Sequence, residues 1–321
     1  MKKIPCLLLL AFFPWLAASA AIDNKLRIGV LAFGTVNWEL AAMRTQGLDT
    51  KYGLDLAVQP LASPEAGKIG LQADSLDMIV TDWIWVAHQQ QARSQFRFIP
   101  YSTHAGALIA PQGSNIQTVA DLVGKKLGIV GSGLDKNWLL LRAYARKVHG
   151  IDLDKAVEKV FGAPPLLNQQ LADGKLDALL NFWHYAAKQE AQGYRRVLDG
   201  RDVLKGLGIE EPLPNLGYVF KQSWGSTHLG ALSAFRKASE EARALLCEND
   251  AAWNKIAPLT QEKEEKLRAV LRREYCAGVV RKWGPEEIRS VGKIYTILRE
   301  TGGEQITGKA ERLPEEIFWK E

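Results

Sequence analysis

Leu71-Gln-Ala-Asp-Ser-Leu76-Asp77-Met-Ile-Val80-Thr81-Asp82-Trp83-Ile-Trp85-Val-Ala87 lines up without gaps, 100 residues on, with Leu171-Ala-Asp-Gly-Lys-Leu176-Asp177-Ala-Leu-Leu180-Asn181-Phe182-Trp183-His184-Tyr185-Ala-Ala187. Each copy reads as a helix end, a tight turn, a short apolar strand, and a polar tip whose Trp opens the next helix. Two copies imply two similar α/β lobes. Ligands of open α/β sheets sit outside the carboxyl ends of the strands, so a cleft between two such edges is a binding site before any residue is given a role.

Outward from the repeat the same alternation holds. A strand over 26–32 ends at Phe33-Gly34-Thr35-Val36-Asn37-Trp38 and leads into a helix; a second strand covers 54–59. Ser63 followed by Pro64 and Glu65 carries a helix start, with Ser as N-cap and Pro at the first helical position. After a strand near 96–101 the pattern restarts at 107–110, then at a turn, strand and glycine-rich tip over 124–133, with a helix over 135–148 and a strand near 196–198. Strands alternating with helices argue for βαβ units and a largely parallel sheet. From Gly217 onward helical patterns dominate, over 229–246, 251–256, 261–275 and 285–300. This tail is expected to return to the first lobe, so that the chain crosses between lobes near Thr103 and again near Asn215.

The length of 321 residues suits two lobes of about 100 to 150 residues each. Lys2 and Lys3, an uncharged apolar run over 4–16 and the small-x-small element Ala18-Ser19-Ala20 read as a cleavable signal peptide over residues 1–20. The mature chain is expected to be exported, soluble and periplasmic. Formal net charge is +5, of which Lys2 and Lys3 supply two, and the remaining basic residues are scattered. That distribution argues against a nucleic-acid partner. Cys247 and Cys276 remain after the leader; an oxidising compartment permits their pairing, and the sequence leaves the pairing open.

Val119-Ala120-Asp121-Leu122-Val-Gly124-Lys125-Lys126-Leu-Gly128, Leu171-Ala-Asp173-Gly174-Lys-Leu176-Asp177-Ala178 and the early Arg27-Ile-Gly29-Val strand carry a family resemblance. In these residues the chain resembles the periplasmic substrate-binding proteins of ABC importers of the nitrate, sulfonate and taurine type, a group related to binders of thiamine-pyrimidine precursors. It implies a type II periplasmic-binding-protein fold: two α/β lobes with a ligand cleft between them and a helical C-terminal tail. Lobe 1 would comprise 21–103 plus 217–321, and lobe 2 would comprise 104–216. The resemblance further implies a monomer that closes on a small-molecule ligand and delivers it to an ABC permease in the inner membrane. One departure stands out: Trp183-His184-Tyr185 lies where such proteins often carry an acidic residue and a proline, so the ligand does not carry over.

Strand ends place Thr35, Asn37, Trp38, Ser63, Thr81, Asp82, Trp83, Asn181, Trp183 and His184 along the expected cleft. Ser132 and Gly133 open a helix, whose free N–H groups and dipole favour an anion; a tight turn without a ligand reads equally simply. Trp83 and Trp183 sit at matched tips, where an aromatic wall suits a small-molecule pocket, whereas Trp85 and Trp138 read as core. Asp82 either pairs with a cationic edge of the ligand or caps the helix that starts at Trp83. The five histidines, His88, His104, His149, His184 and His228, form no metal-binding spacing. No Gly-x-Ser-x-Gly elbow, P-loop or complete Gly-x-Gly-x-x-Gly fingerprint occurs. No catalytic residue, metal or cofactor is therefore expected. The ligand is expected to be anionic or zwitterionic, such as a sulfonate, or a nitrogen heterocycle; a binding-protein fold recruited as a periplasmic accessory or sensor is the alternative.

Overall fold

The computed structural model describes residues 24–90 and 95–320. The leader expected over residues 1–20 lies outside the described residues. The chain runs through β1 (Lys25–Leu31), α1 (Val36–Thr45), α2 (Leu48–Lys51), β2 (Asp55–Leu61), α3 (Pro64–Gln72), β3 (Met78–Thr81), α4 (Trp83–Gln89) and β4 (Phe96–Ser102). It then enters β5 (Ala107–Ala110), β6 (Lys126–Val130), α5 (Lys136–His149), α6 (Leu153–Ala156), β7 (Glu158–Gly162), α7 (Pro164–Ala172), β8 (Ala178–Asn181), α8 (Trp183–Ala191), β9 (Arg195–Asp199) and α9 (Gly200–Gly206). β10 (Leu216–Lys221) is followed by α10 (Gln222–Thr227), α11 (Leu229–Glu248), α12 (Asp250–Ile256), α13 (Glu265–Ala277), α14 (Pro285–Gly302) and α15 (Glu304–Thr307).

The strands form two five-stranded sheets, in the orders β2-β1-β3-β10-β4 and β7-β6-β8-β5-β9. The two orders are the same once β6 to β9 replace β1 to β4. In each sheet the inserted strand, β10 or β5, follows a crossing and lies antiparallel between its neighbours. β1 pairs in parallel with β2 and β3, and β6 with β7 and β8. Loops that follow β1, β3, β6 and β8 therefore leave from the carboxyl edge of each sheet.

The repeat has a physical cause visible in both halves. Asp74 (φ 58°) and Gly174 (φ 69°) make the left-handed turn that ends α3 and α7, a conformation that Gly and Asp adopt most readily. Asp77 then bonds Arg27, its carboxylate accepting from the Arg27 N–H at 2.8 Å and its own N–H donating to Arg27 O at 2.9 Å. Asp177 does the same to Lys126, at 2.7 and 2.9 Å. Leu76 and Leu176 press onto Gly29 and Gly128, where an added Cβ would stand 2.5 and 2.7 Å from a leucine methyl. The repeated residues thus hold β3 to β1 and β8 to β6.

Two short elements depart from the sequence expectation. β7 is an edge strand whose residues are exposed or half-buried, so it lacks the apolar run that marks a core strand. The helix expected from Gln261 begins at Glu265, because Gln261 takes a left-handed conformation (φ 60°) after a 3-10 turn over Ala257–Thr260. The tail packs α11 and α12 on α1, and it also reaches the other sheet's helices: α13 lies on α8, and α14 lies on α5. Cys247 and Cys276 are joined at 2.05 Å, linking the ends of α11 and α13.

Candidate functional site

At the carboxyl edge of the first sheet, most polar residues are occupied by local hydrogen bonds. Asn37 Nδ2 donates to Leu31 O (2.7 Å) and Gly34 O (2.8 Å), fixing the turn after β1. Ser63 Oγ accepts from Ala66 N at 3.2 Å and caps α3. Asp82 accepts from Trp85 N at 2.8 Å and caps α4, the role an Asp takes before a first helical turn. Thr81 is buried, and Trp83 is 1% exposed, its Nε1 donating to Pro214 O at 3.0 Å. Trp83 thus packs against the return crossing.

The second sheet's edge follows the same logic. Asp135 accepts from Asn137 N (2.8 Å) and Trp138 N (3.3 Å), so a carboxylate of the chain already occupies the start of α5. Ser132 Oγ accepts from Leu134 N at 3.2 Å and Gly133 lies half-buried beside it. At the place expected as an anion site, the Leu134, Asn137 and Trp138 N–H groups are thus bound by side chains of the same turn. The helix expected from Asp135 begins at Lys136, with Asp135 as its N-cap. Asn181 is buried and donates to Asn168 Oδ1 (2.7 Å) and Gln189 Oε1 (2.9 Å), which turns it inward.

Trp183 joins the halves. Its ring stacks on His104 at 4.0 Å and 13°, and meets Trp38 edge-on at 6.1 Å. Trp38 in turn packs against Trp253 (5.6 Å) and Tyr275 (5.8 Å). Beside this aromatic contact Lys188 pairs with Glu262 at 2.6 Å and Arg196 approaches Glu274 at 3.9 Å. At the other end of the edge, Lys136 Nζ donates to Asn215 O at 2.8 Å and lies 5.7 Å from the Trp83 ring.

Burial sets the charge state of several of these groups. His104 is pushed down to about 4 by burial, against the opposing pull of backbone carbonyls of α13 and of Glu274. His184 is pushed down to about 3 by burial and by the nearby Lys188 and His104. Both His184 ring nitrogens and His104 Nε2 are shielded from water without a hydrogen-bond partner. Beneath Trp38, Glu39 is fully buried and accepts from Tyr218 OH (2.6 Å), Ser239 Oγ and Tyr275 OH (3.4 Å), with Arg243 at 4.0 Å. Burial raises the Glu39 carboxyl, while Arg243 and the three hydroxyls oppose that shift.

Two sizeable cavities adjoin these contacts. One, of about 480 Å³, lies where the turn after β1 and α1 face α8 and the 258–261 turn. Its wall includes Phe33, Asn37, Trp38, Arg44, His184, Tyr185 and Lys188 and holds no carboxylate. The other, of about 410 Å³, is walled by Trp83, Lys136 and residues of both crossings. Of the residues expected from sequence, Asn37, Trp38 and His184 thus line the first cavity and Trp83 the second. Thr35, Ser63, Thr81, Asp82, Ser132, Gly133, Asn181 and Trp183 are in neither wall. Arg44, Tyr185, Lys188 and Lys136 line these cavities without having been singled out, because a single polar side chain on a helix leaves no local sequence signal of the wall it joins. Among the described residues no cluster of three or more His, Cys, Asp or Glu is arranged to hold a metal ion, and no helix is long and apolar enough to cross a membrane.

Two α/β halves joined by two crossings, with cavities where they meet, define the architecture of a periplasmic binding protein. The NMT1/THI5-like family profile matches residues 50–252, and the chain belongs to that family. No curated protein sequence matches it. Among solved structures, the alkanesulfonate-binding protein SsuA from Xanthomonas axonopodis pv. citri, bound to MOPS, is similar with a TM-score of 0.71 at 18% identity, over 94% of this chain and 99% of that one. The periplasmic aliphatic sulphonate binding protein SsuA from Escherichia coli gives 0.69 at 17% identity, over 92% of each chain. The periplasmic nitrate-binding protein NrtA from Synechocystis gives 0.56 at 12% identity, over 75% of this chain and 66% of that one.

Proposed function

We propose that this chain is the periplasmic solute-binding component of an ABC importer, exported by its leader, which takes a small organic anion between two lobes and delivers it to a permease. The lobes are 21–103 with 217–321, and 104–216. The observation that carries this reading is the 480 Å³ cavity shared by the turn after β1 and by α8, whose charged wall residues are Arg44 and Lys188. Lys188 is already paired with Glu262 at 2.6 Å, so Arg44, whose Nη2 donates to Leu56 O at 2.9 Å, is the cation that favours an anionic head there over a quaternary amine. Trp38 and Tyr185 supply aromatic surface for the body of the ligand. Asp82 caps α4, the second of the two roles open to it from the sequence, which favours a sulfonate or carboxylate over a zwitterion in this reading. Contacts drawn from both lobes would favour the closed arrangement by their differential affinity.

A thermal-shift screen of residues 21–321 against sulfonates, carboxylates, quaternary amines and pyrimidines tests this. An anion at 100 times its Kd should add about 2.7 kcal/mol of stability, and Arg44→Glu should abolish that shift. Stabilisation by amines alone, or by no class, overturns the reading; the second result points to a binding-protein fold recruited to act on another protein.

A further inference from the structure

The 410 Å³ cavity shares no wall residue with the 480 Å³ one. We infer that it is a second binding site, for a small neutral molecule with an apolar body and one hydrogen-bond-accepting oxygen, such as a ketone or an alcohol. Its size is at the small end of the range for ligand pockets, about 300–1,000 Å³. Leu108, Leu141, Leu180, Val203, Leu213 and Ile294 contribute apolar wall from β5, α5, β8, α9, the return crossing and α14. The charged residues that also adjoin it include Arg201, which is exposed and pairs with Asp199 at 3.2 Å.

Lys136 decides the head group. An ammonium carries three donors, and one of them reaches Asn215 O at 2.8 Å; among the described residues its Nζ has no second hydrogen-bond acceptor. Asp82 and Asp135 stand close enough to act on its charge, and both carboxylates are already bound to helix N–H groups. A ligand carboxylate entering here meets Asp82 and Asp135 around Lys136, and on the rest of the wall Asp199, Asp202, Glu210 and Glu211 outnumber Arg201 and Lys205. A neutral oxygen meets the spare N–H donors without that repulsion. Burial also lowers the Lys136 ammonium below its ordinary range, which accords with an apolar surrounding. A molecule so placed touches both crossings, through the 103–106 and 212–215 segments.

Isothermal titration of the purified protein with 2-octanone and with octanoate tests the site. Saturable binding of 2-octanone is expected, with octanoate at least tenfold weaker. Leu180→Trp, which fills the cavity, should abolish binding, and Lys136→Met should weaken it at least tenfold. Should Leu180→Trp fail to fold, Leu204→Trp on half-buried α9 blocks the same space. The site is overturned if 2-octanone does not saturate, or if a folded cavity-filling variant binds it as the wild type does. The head-group assignment is overturned if octanoate binds as tightly. Neither result depends on whether a sulfonate or carboxylate binds the other cavity.

Discussion

Acidifying the protein from pH 7 to pH 4 is expected to remove about 3 kcal/mol of stability for each of His104 and His184 taken alone. Both rings are held neutral in the fold, His104 down to about 4 and His184 down to about 3, from an unperturbed 6.5. With folded values below the unfolded one, the unfolded chain binds more protons as pH falls through 6.5. Stability is therefore whole above that value and drains away down to about pH 4 for His104 and pH 3 for His184. The cause is local. His104 is sandwiched against Trp183, and an added Cβ on Gly278 would stand 2.1 Å from its Nε2, so water has no room to solvate an imidazolium. His184 lies against Tyr185 at 4.5 Å and near Lys188, whose positive charge opposes a second one. Urea unfolding at pH 7 and pH 4, compared between wild type and His184→Phe, separates this loss from that of protonated carboxylates. The variant should lose about 3 kcal/mol less over the interval. An equal loss in both would show that His184 is solvated in the folded chain.

What the sequence made legible, and what it hid, follows from the range of the interactions. The repeat was readable because the same residues do the same work in both halves: Asp77 binds β1 and Asp177 binds β6, and the turn residues Asp74 and Gly174 act within three positions. The strand ends that face the cavities were legible for the same reason, and Asn37, Trp38 and His184 do reach a cavity wall. Trp83 and Trp183 occupy matched positions yet have different surroundings. Trp83 donates to Pro214, 131 residues away, whereas Trp183 is placed between His104 and Trp38. No local pattern distinguishes these fates, since each depends on which crossing passes over the tip. Lys188 and Arg44 were invisible because an exposed-looking cation on a helix carries no mark of the wall it joins. Glu39 was hidden more deeply: its partners Tyr218, Ser239 and Tyr275 come from three distant segments.

Removing the Cys247–Cys276 bond is expected to cost about 3–4 kcal/mol, because the loop it closes has a sequence separation of 29 and its closure restricts the unfolded chain. The consequence extends beyond chain entropy, since the bond ends in a segment that touches both halves. Tyr275 reaches Glu39, Glu274 faces Arg196 across the interface, and Gly278 O accepts from Thr103 N (2.9 Å) and Thr103 Oγ1 (3.2 Å) at the first crossing. Hydrogen exchange and urea unfolding of the Cys247→Ser/Cys276→Ser double variant distinguish the two effects. A loss of about 3–4 kcal/mol with unchanged exchange at residues 102–104 would mean that the bond acts through the unfolded state alone. The same loss with faster exchange at Thr103 is the outcome expected here, because α13 is fixed to α11 through this bond and presents the carbonyl that holds the crossing. A loss below about 1 kcal/mol would show that packing of Leu267, Leu271 and Tyr275 already fixes α13 without it.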